Sequence, residues 1–119
     1  MVATLFVAVL SGCAGAEPPA DEVVTFTVGE TIPVTVTLRS ADDGGRSTPF
    51  YSGYRPQVLF ASSPDPVPCT FSSPDGGFPP DTTADIEITC AHDVTVEPAQ
   101  AGFVFEESGR EVGSGSVAL

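Results

Sequence analysis

The chain has 119 residues, of which 41% are hydrophobic, with 12 Gly and 12 Pro; this length suits one small domain, and so many turn formers argue against a helical one. Four arginines and no lysine stand against 16 acidic residues, for a net charge of −12. Such a surface repels polyanions and so excludes nucleic-acid binding unless the arginines gather on one face; the absence of lysine also excludes GTP hydrolysis by a phosphate loop, whose lysine must reach the β- and γ-phosphates.

In chain order, residues 2–10 (VATLFVAVL) form an apolar run followed by Leu10-Ser11-Gly12-Cys13. The run is far shorter than the roughly 20 apolar residues of a membrane-spanning helix but suits the hydrophobic core of a signal peptide. Its end resembles the lipobox of a bacterial lipoprotein, which implies a signal peptide over 1–12, cleavage before Cys13 and acylation of Cys13. No Lys or Arg precedes the run, so either translation starts upstream of Met1 or the export signal is weak. The competing reading is an ordinary buried strand. Residues 13–22 then continue as an acidic, proline-containing spacer without hydrophobic periodicity, which fits a tether.

From residue 23 onward the pattern is that of strands. Residues 23–28 (VVTFTV), 33–38 (PVTVTL) and 84–91 (ADIEITCA) alternate with period two, which puts Ile86, Ile88 and Cys90 on one face and Asp85, Glu87 and Thr89 on the other. Further strands are expected at 57–60, 67–72, 94–96, 103–107 and 111–119, divided by Gly- and Pro-rich loops. No stretch sustains a 3.6-residue apolar period. The expected class is all-β, with the folded domain over 23–119.

Residues 44–57 read GGRSTPFYSGYRPQ. This stretch resembles the start of the third, C-terminal domain of bacterial elongation factor Tu, where a strand leads into GGR-x-TPF, a short turn and YRPQ. PPDTTADIEI at 79–88 resembles that family's M-P-G-D-N strand start, and FVFEESGREVGSGSVAL at 103–119 resembles its closing hairpin. The similarity spans residues 34–119 and implies a closed antiparallel β-barrel of about six strands, an architecture without open edges. It also implies contacts with the T-stem of tRNA and with elongation factor Ts; the positions carried over to the tRNA face are Arg46, Gln57, Gly113 and Gly115, with 113–115 taken as a turn. Two departures fall on that face: Ser47 stands where the family has His, and Asp85 and Glu87 lie on the strand that in the family carries Lys near its start. Lost cations weaken phosphate contacts. Arg46 and Arg55 have an equally ordinary use as donors to barrel carbonyls or nearby carboxylates.

Cys69 and Cys90 remain once Cys13 is assigned to lipid. An even pair in an exported domain reads as a disulfide, against the alternative of two buried apolar thiols and the weaker one of a zinc site completed by His92. His92 has no second histidine or nucleophile at a supporting spacing and reads as a loop residue; the acids read as a solvated surface. No catalytic residue, metal or cofactor is expected. The functional expectation is a non-enzymatic, lipid-anchored, extracytoplasmic binding module in the cell envelope, with a protein partner and without nucleic acid or GTP. Its alternative is a cytoplasmic translation-factor-like domain that binds tRNA or a translation protein.

Overall fold

Alternating β-branched and polar residues give eight strands in the computed structural model, which describes residues 22–63 and 65–119. They are β1 (Val24–Phe26), β2 (Ile32–Leu38), β3 (Gln57–Phe60), β4 (Val67–Phe71), β5 (Thr82–Cys90), β6 (Val94–Val96), β7 (Gly102–Glu107) and β8 (Arg110–Val117). Six of them close an antiparallel barrel in the order β2-β5-β4-β3-β7-β8. This is the expected class and architecture. The lipobox, Cys13 and the tether up to Asp21 lie outside the described residues.

Period two decides what fills the barrel. Val34 and Val36 of β2 sit opposite Ile86 and Ala84 of β5 and opposite Val117 and Gly115 of β8, and the register carries the inward set on to Phe103, Phe105, Val58 and Phe60. Phe71, Phe105, Val58, Val36 and Leu38 are fully enclosed. At roughly 1.5–3 kcal/mol for each fully buried aliphatic or aromatic side chain, this interior is the dominant favourable contribution to folding. Cys69 and Cys90 belong to the same inward set and are joined by a disulfide. Their Cα atoms are 4.0 Å apart, because they form a non-hydrogen-bonded antiparallel pair, the site at which two strands approach most closely. The flanking pair supplies the hydrogen bond, from Ala91 N–H to Pro68 O at 3.0 Å.

Three expectations change. Residues 23–28 do not form one strand of the barrel: only Val24–Phe26 is extended, and it pairs with β6 as a separate two-stranded ribbon. The ribbon covers the end of the barrel at the start of β2 and the end of β5, with Phe26, Val94 and Val96 turned into the core. Second, β5 begins at Thr82, two residues before alternation becomes visible, because Asp81 takes a positive φ of 62° that resets the chain direction. Third, residues 113–115 are not a turn. They lie inside β8, paired to β2 on one side and β7 on the other. The turn of this hairpin is Ser108-Gly109, both at positive φ, as a two-residue connection between twisted strands requires.

Gly113 and Gly115 are small because two phenylalanines need their space. A Cβ on Gly113 would lie 2.2 Å from the ring of Phe105 and 2.7 Å from the carbonyl oxygen of Thr37. One on Gly115 would lie 2.7 Å from the ring of Phe103 and 2.5 Å from Thr35 O. Beside them a register shift makes Val112 an extra residue opposite the Phe105-Glu106 step, so Val112 and Gly113 are both buried and the strand bends inward.

Candidate functional site

The far end of the barrel, at Leu38, Gln57 and the β7–β8 turn, is closed by two loops, 44–56 and 72–81. Phe50 and Phe78 tie these loops together by reciprocal backbone hydrogen bonds of 3.0 and 2.7 Å, and their rings stack with centroids 4.8 Å apart. Tyr54 stacks on the other face of Phe50, and Phe71 meets it edge-on. Among the described residues, one charged cluster is set into this aromatic plug. Arg46 donates from Nη1 to Glu107 Oε2 at 2.5 Å, from Nε to Thr48 O at 3.2 Å and from Nη2 to Pro49 O at 3.3 Å. The Tyr54 hydroxyl donates to the same Glu107 oxygen, and the guanidinium lies 5.0 Å from the centre of the Tyr54 ring.

The protonation states follow from this geometry. Burial opposes the charge on Glu107, but the Tyr54 hydroxyl and Arg46 outweigh it and hold the carboxyl below its ordinary range. Burial, reinforced by the hydrogen bond and charge of Glu107, pushes the Tyr54 phenol up. Arg46 is raised too: burial lowers it and Glu107 more than offsets that. Arg46 and Glu107 therefore stay charged and the cluster locked across neutral pH, which suits a clasp.

A prediction with a definite sign follows. A carboxyl depressed in the folded state contributes stability above its unfolded pKa, and that contribution is lost as pH falls through the folded value. Glu107→Gln is expected to lower stability by about 2 kcal/mol at neutral pH, the scale of hydrogen bonds to a charged group. It should also flatten the acid limb of the stability–pH curve below about pH 4.5. Urea unfolding from pH 3 to pH 7 reads both effects; parallel curves for wild type and variant would show that the carboxylate does not hold the loop.

The four residues taken from the family resemblance are not brought to one surface. Arg46 is committed to Glu107 and to its own loop. Gln57 is exposed at the start of β3, opposite Glu106 and Pro68. Gly113 and Gly115 face the interior. All four arginines do lie toward the plugged end, yet acids are interleaved with them: Arg39 pairs with Glu111 at 3.4 Å, Arg46 with Glu107, and Arg110 stands opposite Glu107 across the hairpin. Three of the four arginines at this end thus have acidic neighbours, and Arg55 has no ion pair among the described residues.

His92 is exposed, and the neighbouring Asp93 accepts the backbone N–H of Val28 at 2.8 Å, a structural duty. Among the described residues no group of three His, Cys, Asp or Glu side chains could hold a metal ion. The disulfide also removes Cys69 and Cys90 from any such set. The reading of every acid as solvated surface fails at Glu107, whose side chain is only 28% exposed. Successive acids at 106–107 gave no sign of this, because the partner lies 61 residues away in sequence.

Two open clefts lie on the outer wall where β4 ends and β5 continues. One, of about 270 Å³, is bordered by Ser52, Gly53, Thr70, Ser72, Glu87 and Thr89. The other, of about 470 Å³, is bordered by Ser72, Ser73 and Pro74 beyond β4, by Asp85, Ile86 and Glu87 of β5, and by Pro33 of β2 on the far flank of β5. Both present hydroxyl and carboxylate groups to solvent. No protein-family model matches the sequence.

Proposed function

We propose that the protein is a non-enzymatic, lipid-anchored, extracytoplasmic binding module whose barrel resembles the third domain of elongation factor Tu and has left translation. The observation that carries this reading is Cys13, placed where a short apolar run ends and an acidic spacer begins. The Cys69–Cys90 disulfide supports it, since structural disulfides belong to oxidising compartments. One acyl chain binds a membrane only marginally, so double or triple acylation is what would retain the domain. The test is fractionation of cells fed labelled fatty acid: label and protein should co-sediment with membranes, and Cys13→Ala should send the protein to the soluble fraction without label. Membrane retention of an unlabelled Cys13→Ala protein would end the lipoprotein reading.

The second reading, a cytoplasmic domain that binds tRNA, is favoured by the likeness of residues 44–57 alone. It conflicts with the arginine pairing above and with the acids on β5. Titration of aminoacyl-tRNA against the protein at physiological ionic strength is expected to give no saturable binding. Micromolar affinity that falls steeply with added salt, the signature of counterion release, would reverse the order of the two readings.

A further inference from the structure

The barrel is closed but has one unzipped seam. β5 runs for nine residues and β4 for five, and their pairing stops at Phe71↔Ile88, followed by one last backbone–backbone hydrogen bond from Ser72 N–H to Glu87 O at 2.9 Å, while the Ser72 hydroxyl donates to Glu87 O and accepts Glu87 N–H. There the chain departs through Ser73 and Pro74 so that Phe78 can reach Phe50. In β5 the odd-numbered residues direct their backbone groups to this side: Glu87 bonds to Ser72 and Ala91 to Pro68, whereas the even-numbered ones face β2. By the same parity Thr83 and Asp85 turn their N–H and C=O groups toward the vacated lane. Among the described residues those groups have no partner, and both residues are exposed. The cleft of about 470 Å³ opens at the head of this lane, where Ser72, Ser73 and Pro74 part from Asp85 and Glu87.

An exposed strand edge beside a cleft is a template for strand addition. The charge on the edge selects what can add. Asp85 and Glu87 point outward along it, Asp81 stands at its start, and the Glu87 carboxylate makes no hydrogen bond or ion pair among the described residues; Asp85 only accepts the Thr35 hydroxyl, at 2.7 Å. Pairing with a second copy would set these acids against each other between two chains of net charge −12, and like charges opposed across strands are destabilising. The geometry points to an extended peptide segment with basic side chains at alternate positions, which adds as a strand along Thr83–Asp85 and places its cations against Asp85 and Glu87. This proposal rests on the binding-module reading above for its sense but not on the lipid anchor, so the purified protein tests it independently of where the protein resides.

The probe is a short synthetic peptide of alternating lysine and valine, titrated into the full isotope-labelled chain and followed by backbone amide shifts. Three comparisons accompany it: a glutamate–valine peptide, the lysine–valine peptide N-methylated on alternate amides, and the protein variant Asp85→Asn/Glu87→Gln. Binding should shift the amides of Thr83 and Asp85 first, vanish with N-methylation, be absent for the glutamate peptide, and weaken about tenfold in the double variant, the effect of two favourable charge contacts. Slowed hydrogen exchange at Thr83 and Asp85 in the complex is the second readout. No binding, binding that survives N-methylation, shifts confined to other strands, or concentration-dependent self-association through this edge would each overturn the proposal.

Discussion

Gly113→Ala is expected to cost the barrel about 3 kcal/mol or more, the upper range for overpacked interiors, and so to lower its melting temperature by more than about 10 °C. The added methyl meets the Phe105 ring on one side and the Thr37 carbonyl oxygen on the other. The ring could rotate away only into Phe71, fully enclosed with its centroid 5.0 Å off, or half-buried Tyr54 at 6.3 Å, and the carbonyl is fixed by the β2–β8 ladder. Ser114→Ala, one residue on and facing outward, is the control and should change stability by less than about 0.5 kcal/mol. Thermal unfolding followed by far-UV circular dichroism compares the two. Equal midpoints would mean that the glycines are not there to seat the phenylalanines.

Removal of the disulfide is the second large effect. The bridge spans 21 residues, and the loop-entropy estimate for that length is about 3 kcal/mol. The Cys69→Ala/Cys90→Ala double variant also leaves a gap in a closed interior, which adds to the loss. Because Cys69 is fully buried and Cys90 nearly so, reductant should act only through unfolded chains. Thiol labelling of the native protein in mild reductant is therefore expected to be slow and to track global unfolding. Rapid labelling under native conditions would place the bridge on an accessible surface and contradict the interior register.

What the sequence discloses about this fold is what period two discloses. ADIEITC at 84–90 announces its inward face residue by residue, and Ile86, Ile88 and Cys90 are indeed inside. The same pattern marks β2. Pattern fails where pairing rather than alternation decides. Val24–Phe26 alternates like a barrel strand yet pairs with β6, since only the tertiary partner distinguishes a ribbon from a barrel member. Gly113-Ser114-Gly115 looks like a turn because glycine is a turn former, yet it is a strand whose missing side chains are filled from β7. The Arg46–Glu107–Tyr54 clasp was half legible: a donor-rich Arg46 suggested a structural duty, but nothing local named the carboxylate. The seam at Thr83 and Asp85 was invisible, because a free edge is a property of the neighbouring strand's length.

The central claim is that a folded, disulfide-bonded barrel is held at a membrane through Cys13. Intact-mass measurement of the protein recovered from the membrane fraction tests it most directly. The account predicts a chain that begins at Cys13, with residues 1–12 absent, the added mass of a diacylglyceryl group with or without an N-acyl chain, and a deficit of two hydrogens for the Cys69–Cys90 bond. A chain that retains Met1, carries no acyl group and is recovered from the soluble fraction with both thiols free would contradict it.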